Sequence, residues 1–279
     1  LIKVSADSGA VKAPVVTISG NAGEAGVLLK YTDGVLKSVL SDINGNYRIN
    51  VPANWSGKII PSKTGVISFY PTSRSYSLLK TSQTGQNYRR NRFMTFSSVS
   101  SQDGYILELS ETSGVGGSLN STSTFFVLGD DNLNRQYRAI LSFNTGNLPD
   151  NAVIGSATLQ ITKQSVTAED PFIKHALIAM DIRKPVFGAD AGLALEDFKA
   201  SAGLLNAGWV KSAAVAGVYT GVFGAAAFPV VNLVGTTQIR LRFAVDDDND
   251  RITDRLSFYS GNSTSTAFRP MLRITYHLP

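Results

Sequence analysis

The densest chemistry in this chain is carried by carboxylates. Asp246-Asp247-Asp248-Asn249-Asp250, with Asp254 close behind, is a run of hard oxygen ligands, and Gly129-Asp130-Asp131-Asn132 is a second. Ca²⁺ collects about six to eight oxygens from carboxylates and carbonyls. Asp246, Asp247, Asp248, Asp250, Asp130 and Asp131 are therefore the candidate metal ligands, and Ca²⁺ is the expected ion. Like charges this close repel unless a cation or an arginine neutralises them, and Arg251 and Arg255 lie alongside. The spacing is not that of an EF-hand, because the central Gly and the terminal Glu are missing. Arginine-paired or solvated carboxylates are the plainer alternative.

Catalytic patterns are absent from the sequence. The chain has two histidines, His175 and His277, and no cysteine. It contains no Gly-x-Ser-x-Gly elbow, no His-Glu-x-x-His and no P-loop. Glu108, Glu111, Glu169 and Glu196 could pair across a cleft only in the sense that any acids could. The expectation is a protein that is not an enzyme. Sugar binding needs exposed aromatic faces flanked by hydrogen-bonding side chains, and Trp209, Tyr219 and Tyr259 are the candidates. Tyr137 is in line with Leu141 and Phe143, which favours the core for that ring. Asn54, Asn120 and Asn262 each open an Asn-x-Ser/Thr sequon, and the last two share the near-repeat Asn-Ser-Thr-Ser-Thr. Ordinary Ser/Thr turns explain the same tripeptides.

The elements that must position these residues are strands. Tyr137, Ala139, Leu141 and Phe143 alternate with polar or smaller neighbours, which marks a strand with one face in a core. A turn follows at Gly146-Asn147-Leu148-Pro149-Asp150, and Ile154, Ala157, Leu159 and Ile161 begin another strand set. Nearer the start, Val15-Val16-Thr17-Ile18, Val27-Leu28-Leu29-Lys30-Tyr31 and Val39-Leu40 are separated by Asp33-Gly34 and Asn44-Gly45. These pairs supply the positive φ that tight hairpins need. Residues 193–201 read as a short helix, the one convincing helix of the chain. A length of 279 residues suits two domains, and charged residues make up only 17% of it, which fits an all-β extracellular protein better than a cytosolic enzyme. Without cysteine there are no disulfides, so core size must stabilise the fold. No run approaches the roughly 18 apolar residues of a membrane helix, so no membrane insertion is expected. The start Leu-Ile-Lys-Val has neither a basic n-region nor an apolar h-region, and the expectation is a secreted chain whose signal peptide has gone.

Two family resemblances follow from these motifs. The strand–turn–strand set of residues 136–161, with Asp103-Gly104-Tyr105, Phe258-Tyr259-Ser260 and Arg269-Pro270-Met271-Leu272-Arg273-Ile274-Thr275-Tyr276, resembles the DNRLRE domain over residues 98–279. That is a jelly-roll β-sandwich of secreted microbial proteins, often likened to carbohydrate-binding modules. The run Asp42-x-Asn44-Gly45-x-Tyr47, followed by Val51-Pro52, resembles the carboxypeptidase-regulatory-like or CNA-B type of Ig-like domain. In that family the tyrosine caps the core beneath the turn, and repeated modules act as stalks. Some relatives form a Lys–Asn isopeptide bond; Lys30 and Asn87 are the candidates here, although no well-placed acid accompanies them. The implied architecture is all-β: an arm (1–13), an Ig-like β-sandwich (14–90), a linker (91–97) and a larger jelly-roll β-sandwich (98–279).

Three features point to self-association. Residues 1–97 carry 12 Lys and Arg against 4 Asp and Glu, a balance of +8, whereas the remainder balances at −3. Basic and acidic modules of neighbouring copies would attract. The basic residues are scattered singly apart from Arg89-Arg90-Asn91-Arg92, so nucleic acid is not an expected partner. Residues 200–239 hold a single charge, Lys211, and a stretch this poor in charge suggests a covered surface. Val218, Tyr219, Phe223 and Phe228 are its candidate assembly residues. Leu1, Ile2 and Val4 could add a strand to the next subunit. The expectation is a non-catalytic, adhesive or structural surface protein that associates head-to-tail into a filament or layer. A carbohydrate-binding module on an Ig-like stalk, with a polysaccharide partner, is the alternative.

Overall fold

A computed structural model describes residues 14–167, 170–211 and 217–279. The protein is nearly all β and divides into two compact units. One comprises residues up to Arg92 with His277–Pro279, and the other comprises Phe93–Tyr276.

The first unit is a β-sandwich. Its strands are β1 (Val15–Asn21), β2 (Leu28–Asp33), β3 (Val35–Leu40), β4 (Asn46–Pro52), β5 (Trp55–Ser62), β6 (Phe69–Tyr70), β7 (Arg74–Leu79) and β8 (Arg89–Arg90). β1 pairs antiparallel with β4, while β3, β2, β5 and β7 form a four-stranded sheet in that order. The alternation read from the sequence places Ile18, Leu29, Ile49, Val51 and Ile59 in one core. Tyr47 is buried there and donates its hydroxyl to the Gln86 carbonyl at 2.5 Å, the capping role that its motif implies. Trp55 is buried edge-on to Tyr31 and donates its indole N–H to the Thr32 carbonyl. Each ring therefore buries its apolar body while its polar tip stays bonded.

The second unit holds β9 (Arg92–Ser97), β10 (Gly104–Glu108), β11 (Gly116–Asn120), β12 (Phe125–Asp130), β13 (Gln136–Asn144) and β14 (Val153–Thr167). A one-turn helix, α1 (Pro171–Lys174), follows. After it come β15 (Ile178–Arg183), β16 (Leu204–Val210), β17 (Val218–Phe223), β18 (Thr236–Phe243), β19 (Arg255–Tyr259) and β20 (Met271–His277). Antiparallel pairings run from β13 through β18, β15, β16, β17, β14, β19 and β12 and return to β13, so these eight strands close on themselves. Closure removes the exposed edges that an open sheet would leave. Phe126, Leu141, Phe143, Leu159, Met180, Leu241, Phe243 and Phe258 fill the interior.

Two local expectations change. Residues 92–97, expected to be linker, are a strand, β9, paired with β20. The helix expected over 193–201 is a 3₁₀ turn at Leu195–Phe198, while α1 went unread. Its signal is the sequence Asp170-Pro171: the Asp170 carboxylate caps the Phe172 amide at 3.0 Å, and proline holds the first helical position.

Candidate functional site

The structure sorts the acidic runs into ligand-like groups and turn caps. Asp131 is a cap: its carboxylate accepts the Leu133 and Arg135 amides and pairs with the Arg135 guanidinium at 2.6 Å. Burial would raise its pKa, but those bonds to Arg135 hold it below the usual carboxylate range. Asp247 accepts the Asn249 amide, and Asp246 is exposed. Among the described residues Asp246, Asp247 and Asp131 join no ligand-like group, although Asp248 and Asp250, which do, close turns of the same kind. Short carboxylates two residues from a backbone N–H close Asx turns, which satisfies them locally.

The groups that do gather come from distant parts of the chain. One oxygen each from Asp248, Asp250 and Asp254 lie within 4.8 Å of one another, as do ligand atoms of Asp130, His175 and Asp254. Asp130 ends β12, Asp254 precedes β19, and His175 follows α1. Asp130 and Asp254 are tied together, since each backbone amide donates to an oxygen of the other residue, at 3.0 and 3.2 Å. Gly129 makes this approach possible. Its φ is 111°, and a side chain there would run into the Asp254 carbonyl. Arg255 reaches the Tyr137 hydroxyl rather than the acids, and the cation at the outer pair is Lys174, 3.2 Å from Asp248 and 3.7 Å from Asp250. Burial works to lower the His175 pKa, but Asp130 beside it, with Asp248 and Asp254, holds it above the ordinary value. His175, which the sequence did not single out as a ligand, sits in this cluster because α1 turns the chain back.

The proposed sugar-binding and assembly residues divide by burial. Tyr219 is a core residue, 6% exposed, stacked on Phe172 and edge-on to Phe258, so its face reaches neither sugar nor neighbour. Phe223 is likewise buried. Val218 and Phe228 are half-buried, and Phe228 lines an apolar groove with Val153 and Val234. Trp209 is 37% exposed and faces Val222 across the β16–β17 ladder. Tyr259 stacks on Phe268. Leu1, Ile2, Val4 and Glu169 lie outside the described residues. An aromatic groove appears instead: half-buried Tyr105 stacks on half-buried Phe125, with buried Tyr137 edge-on to Tyr105, and with Gln164, Ser165 and Arg255 they line a groove of about 360 Å³.

Other candidates resolve into structure. Glu108 is buried and accepts the Gly114 and Gln136 amides. Glu196 is exposed within the 3₁₀ turn and Glu111 is half-buried. Lys30 is exposed on β2, whereas Asn87 accepts the Asn21 amide, so these two residues are engaged apart. His277 stacks on Tyr70. Asn54 is exposed, but Asn262 spends its side-chain N–H₂ on the Ser100 and Ser121 carbonyls, which packs the two Asn-Ser-Thr-Ser-Thr loops together.

The clearest surface feature of the first unit is strand β3. It forms the edge of its sheet, and among the described residues it pairs only with β2. Val35, Leu36 and Leu40 are 66%, 75% and 62% exposed. Leu40 also lines a shallow groove with Leu28, Lys30 and Lys63. Edge strands are normally blunted by charge, and the one charge here, Lys37, is drawn aside to Asp33 at 2.6 Å.

No family model matches the chain, and no curated protein matches it. Among solved structures, the chain is similar to the full-length major pilin SpaD of Corynebacterium diphtheriae, at 7% identity and a TM-score of 0.31, over 84% of this chain and 58% of that one. It is similar to the major pilin SpaA of the same organism, at 6% identity and a TM-score of 0.29, over 88% and 58%. A third likeness is to BcpA, the major pilin subunit of Bacillus cereus, at 8% identity and a TM-score of 0.27, over 95% and 59%. The chain thus spans less than two thirds of the length of each pilin, and these values are too low to identify it with any of them.

Proposed function

We propose that this chain is a non-catalytic structural protein of the cell exterior whose copies associate head-to-tail by strand addition. The observation that carries the reading is β3, an apolar strand with an open edge. An open edge offers unpaired N–H and C=O groups to any extended segment, and the apolar side chains beside it reward a partner that covers them. The proposed occupant is residues 1–13 of a second copy, in which Ile2, Val4 and Ala6 alternate with Lys3, Ser5 and Asp7 after Leu1 and which contain no proline. Basic and acidic portions of successive copies would add long-range attraction. Head-to-tail contacts of this kind propagate into filaments unless the rotation closes a ring.

Removing residues 1–13 should abolish polymers while both units stay folded, because the first core strand begins at Val15. Leu36→Asp should do nearly the same, since each apolar side chain covered in the contact contributes about 1.5–3 kcal/mol. Sedimentation and negative-stain imaging at several concentrations read both. If the shortened protein and Leu36→Asp assemble as the intact chain does, strand addition at β3 is wrong.

The aromatic groove of the second unit favours a second reading, glycan binding. Rings that stack on a sugar face, beside an arginine and an amide that read hydroxyls, are the usual composition of such sites. Tyr105→Ala should weaken retardation in a polysaccharide-containing gel at least tenfold. Equal mobility of the two proteins across a polysaccharide panel would dismiss this reading.

A further inference from the structure

Two side chains that carry hydrogen-bonding atoms without partners meet in one buried spot of the second unit. Asp130 and His175 are both 0% exposed. Oδ2 of Asp130 and both ring nitrogens of His175 have no hydrogen-bond partner among the described residues. Buried polar atoms are nearly always paired, so such a concentration calls for something that satisfies them. A charged His175–Asp130 pair does not do so. Nε2 stands 3.6 Å from Asp130 Oδ1, beyond hydrogen-bond range, and an imidazolium would bury two N–H donors with no acceptor. The second carboxylate oxygen of Asp130 would also stay buried without a hydrogen bond, a costly arrangement unless a cation sits with it.

We infer that Asp130, His175 and Asp254 bind a divalent transition-metal ion of the Zn²⁺ class. One ion would accept the Nε2 lone pair of His175 together with Asp130 Oδ2, and a 2+ charge would neutralise the paired carboxylates. An imidazole among the ligands separates this site from the Ca²⁺ expectation. Ca²⁺ takes oxygen alone, whereas imidazole with carboxylates suits zinc, iron, cobalt or nickel. The outer acids differ, because Asp248 and Asp250 already have the Lys174 ammonium between them. The fold supports the inner three firmly. They come from the end of β12, the residue before β19 and the residue after α1, and the reciprocal amide bonds of Asp130 and Asp254 fix two of them in advance. A bound ion would cross-link three segments far apart in sequence, a stabilising role open to a chain with no cysteine.

The experiment uses the full chain, stripped with a chelator and titrated with ZnSO₄, and separately with CaCl₂. The chain has only two histidines, so the His175 ring signals can be followed by NMR against those of His277. The expected result is a displacement of the His175 signals by Zn²⁺. At about 100 times Kd the melting temperature should rise by roughly 5–10 °C. Both effects should vanish in Asp130→Asn and persist in Asp246→Asn. Should Asp130→Asn fail to fold, the His175 signals of the intact chain still decide the matter. Signals unmoved by Zn²⁺, or a melting shift with Ca²⁺ alone, overturn the assignment.

Discussion

Arg240→Met should lower the stability of the second unit by about 3–5 kcal/mol, because it strands a buried carboxylate. Arg240 lies beneath residues 184–203 with its side chain 4% exposed, and its Nε and Nη2 donate to Asp181 Oδ2 at 3.1 and 2.9 Å. Nη1 donates to the carbonyls of Asp197, Phe198 and Ala200, and the guanidinium lies 4.8 Å from the Phe187 ring centroid. The arginine thus pairs with one strand and holds the covering loop. Asp181 is fully buried, and without Arg240 it keeps, among the described residues, the Asn206 amide and a longer contact to Arg242 at 3.5 Å. That residual contact points to the lower end of the range, a fall in melting temperature of roughly 6–12 °C for a unit of this size. The double variant Arg240→Met/Asp181→Leu should recover part of the loss, since no lone charge then remains. Thermal melts of the three variants test this, and a single variant costing less than about 1 kcal/mol would falsify the account.

The stability of the same unit should fall as pH rises from about 4 to 7, through Asp103. This side chain is 0% exposed, and its carboxylate accepts the Ser142 amide at 2.9 Å and the Gly261 amide at 3.2 Å. Burial pushes its pKa up to about 7, and the hydrogen bonds only partly oppose that. The folded state therefore favours the protonated acid more than the unfolded state does. The stability from this preference is full below the ordinary carboxylate pKa and is lost as pH climbs to the raised one. The swing is roughly 4 kcal/mol at most, at about 1.4 kcal/mol for each pKa unit. Asp103→Asn carries no proton to lose, so the difference between the two proteins' melting curves should change across that interval and level off above it. Parallel curves from pH 4 to 8 would show that Asp103 does not titrate there.

Asp103 also illustrates how far the sequence reaches. As part of Asp103-Gly104-Tyr105 it marked the start of the larger domain, yet nothing local says that its carboxylate would be sealed against β13 and the loop after β19. Period-2 alternation identified β13, because a strand with a covered face must place apolar residues at every second position. It ranked the two faces of β13 wrongly only in degree: Tyr137, Leu141 and Phe143 face a core, but Gln136, Ile140 and Ser142 opposite them are buried as well. Alternation reports that the faces differ; it does not report what covers each.

By itself the sequence determined the all-β class, the hairpin turn at Gly34, the positive φ at Gly45, where the turn joins strands of two different sheets, and the poverty of catalytic motifs. Each of these depends on neighbours within a few residues, where φ preference, side-chain period and Asx-turn chemistry act. Only the tertiary structure decided which acids would meet. Asp246, Asp247 and Asp131 were spent on their own exposed or turn-forming surroundings, while Asp130, His175 and Asp254 were brought together across more than a hundred residues by the closure of β12 on β19. It also decided that Tyr219 would be core and that β3 would be an edge. Whether a strand has one neighbour or two, and whether a ring is roofed or open, is settled by which strands pair, and pairing is a long-range choice that the alternation of a single strand does not encode.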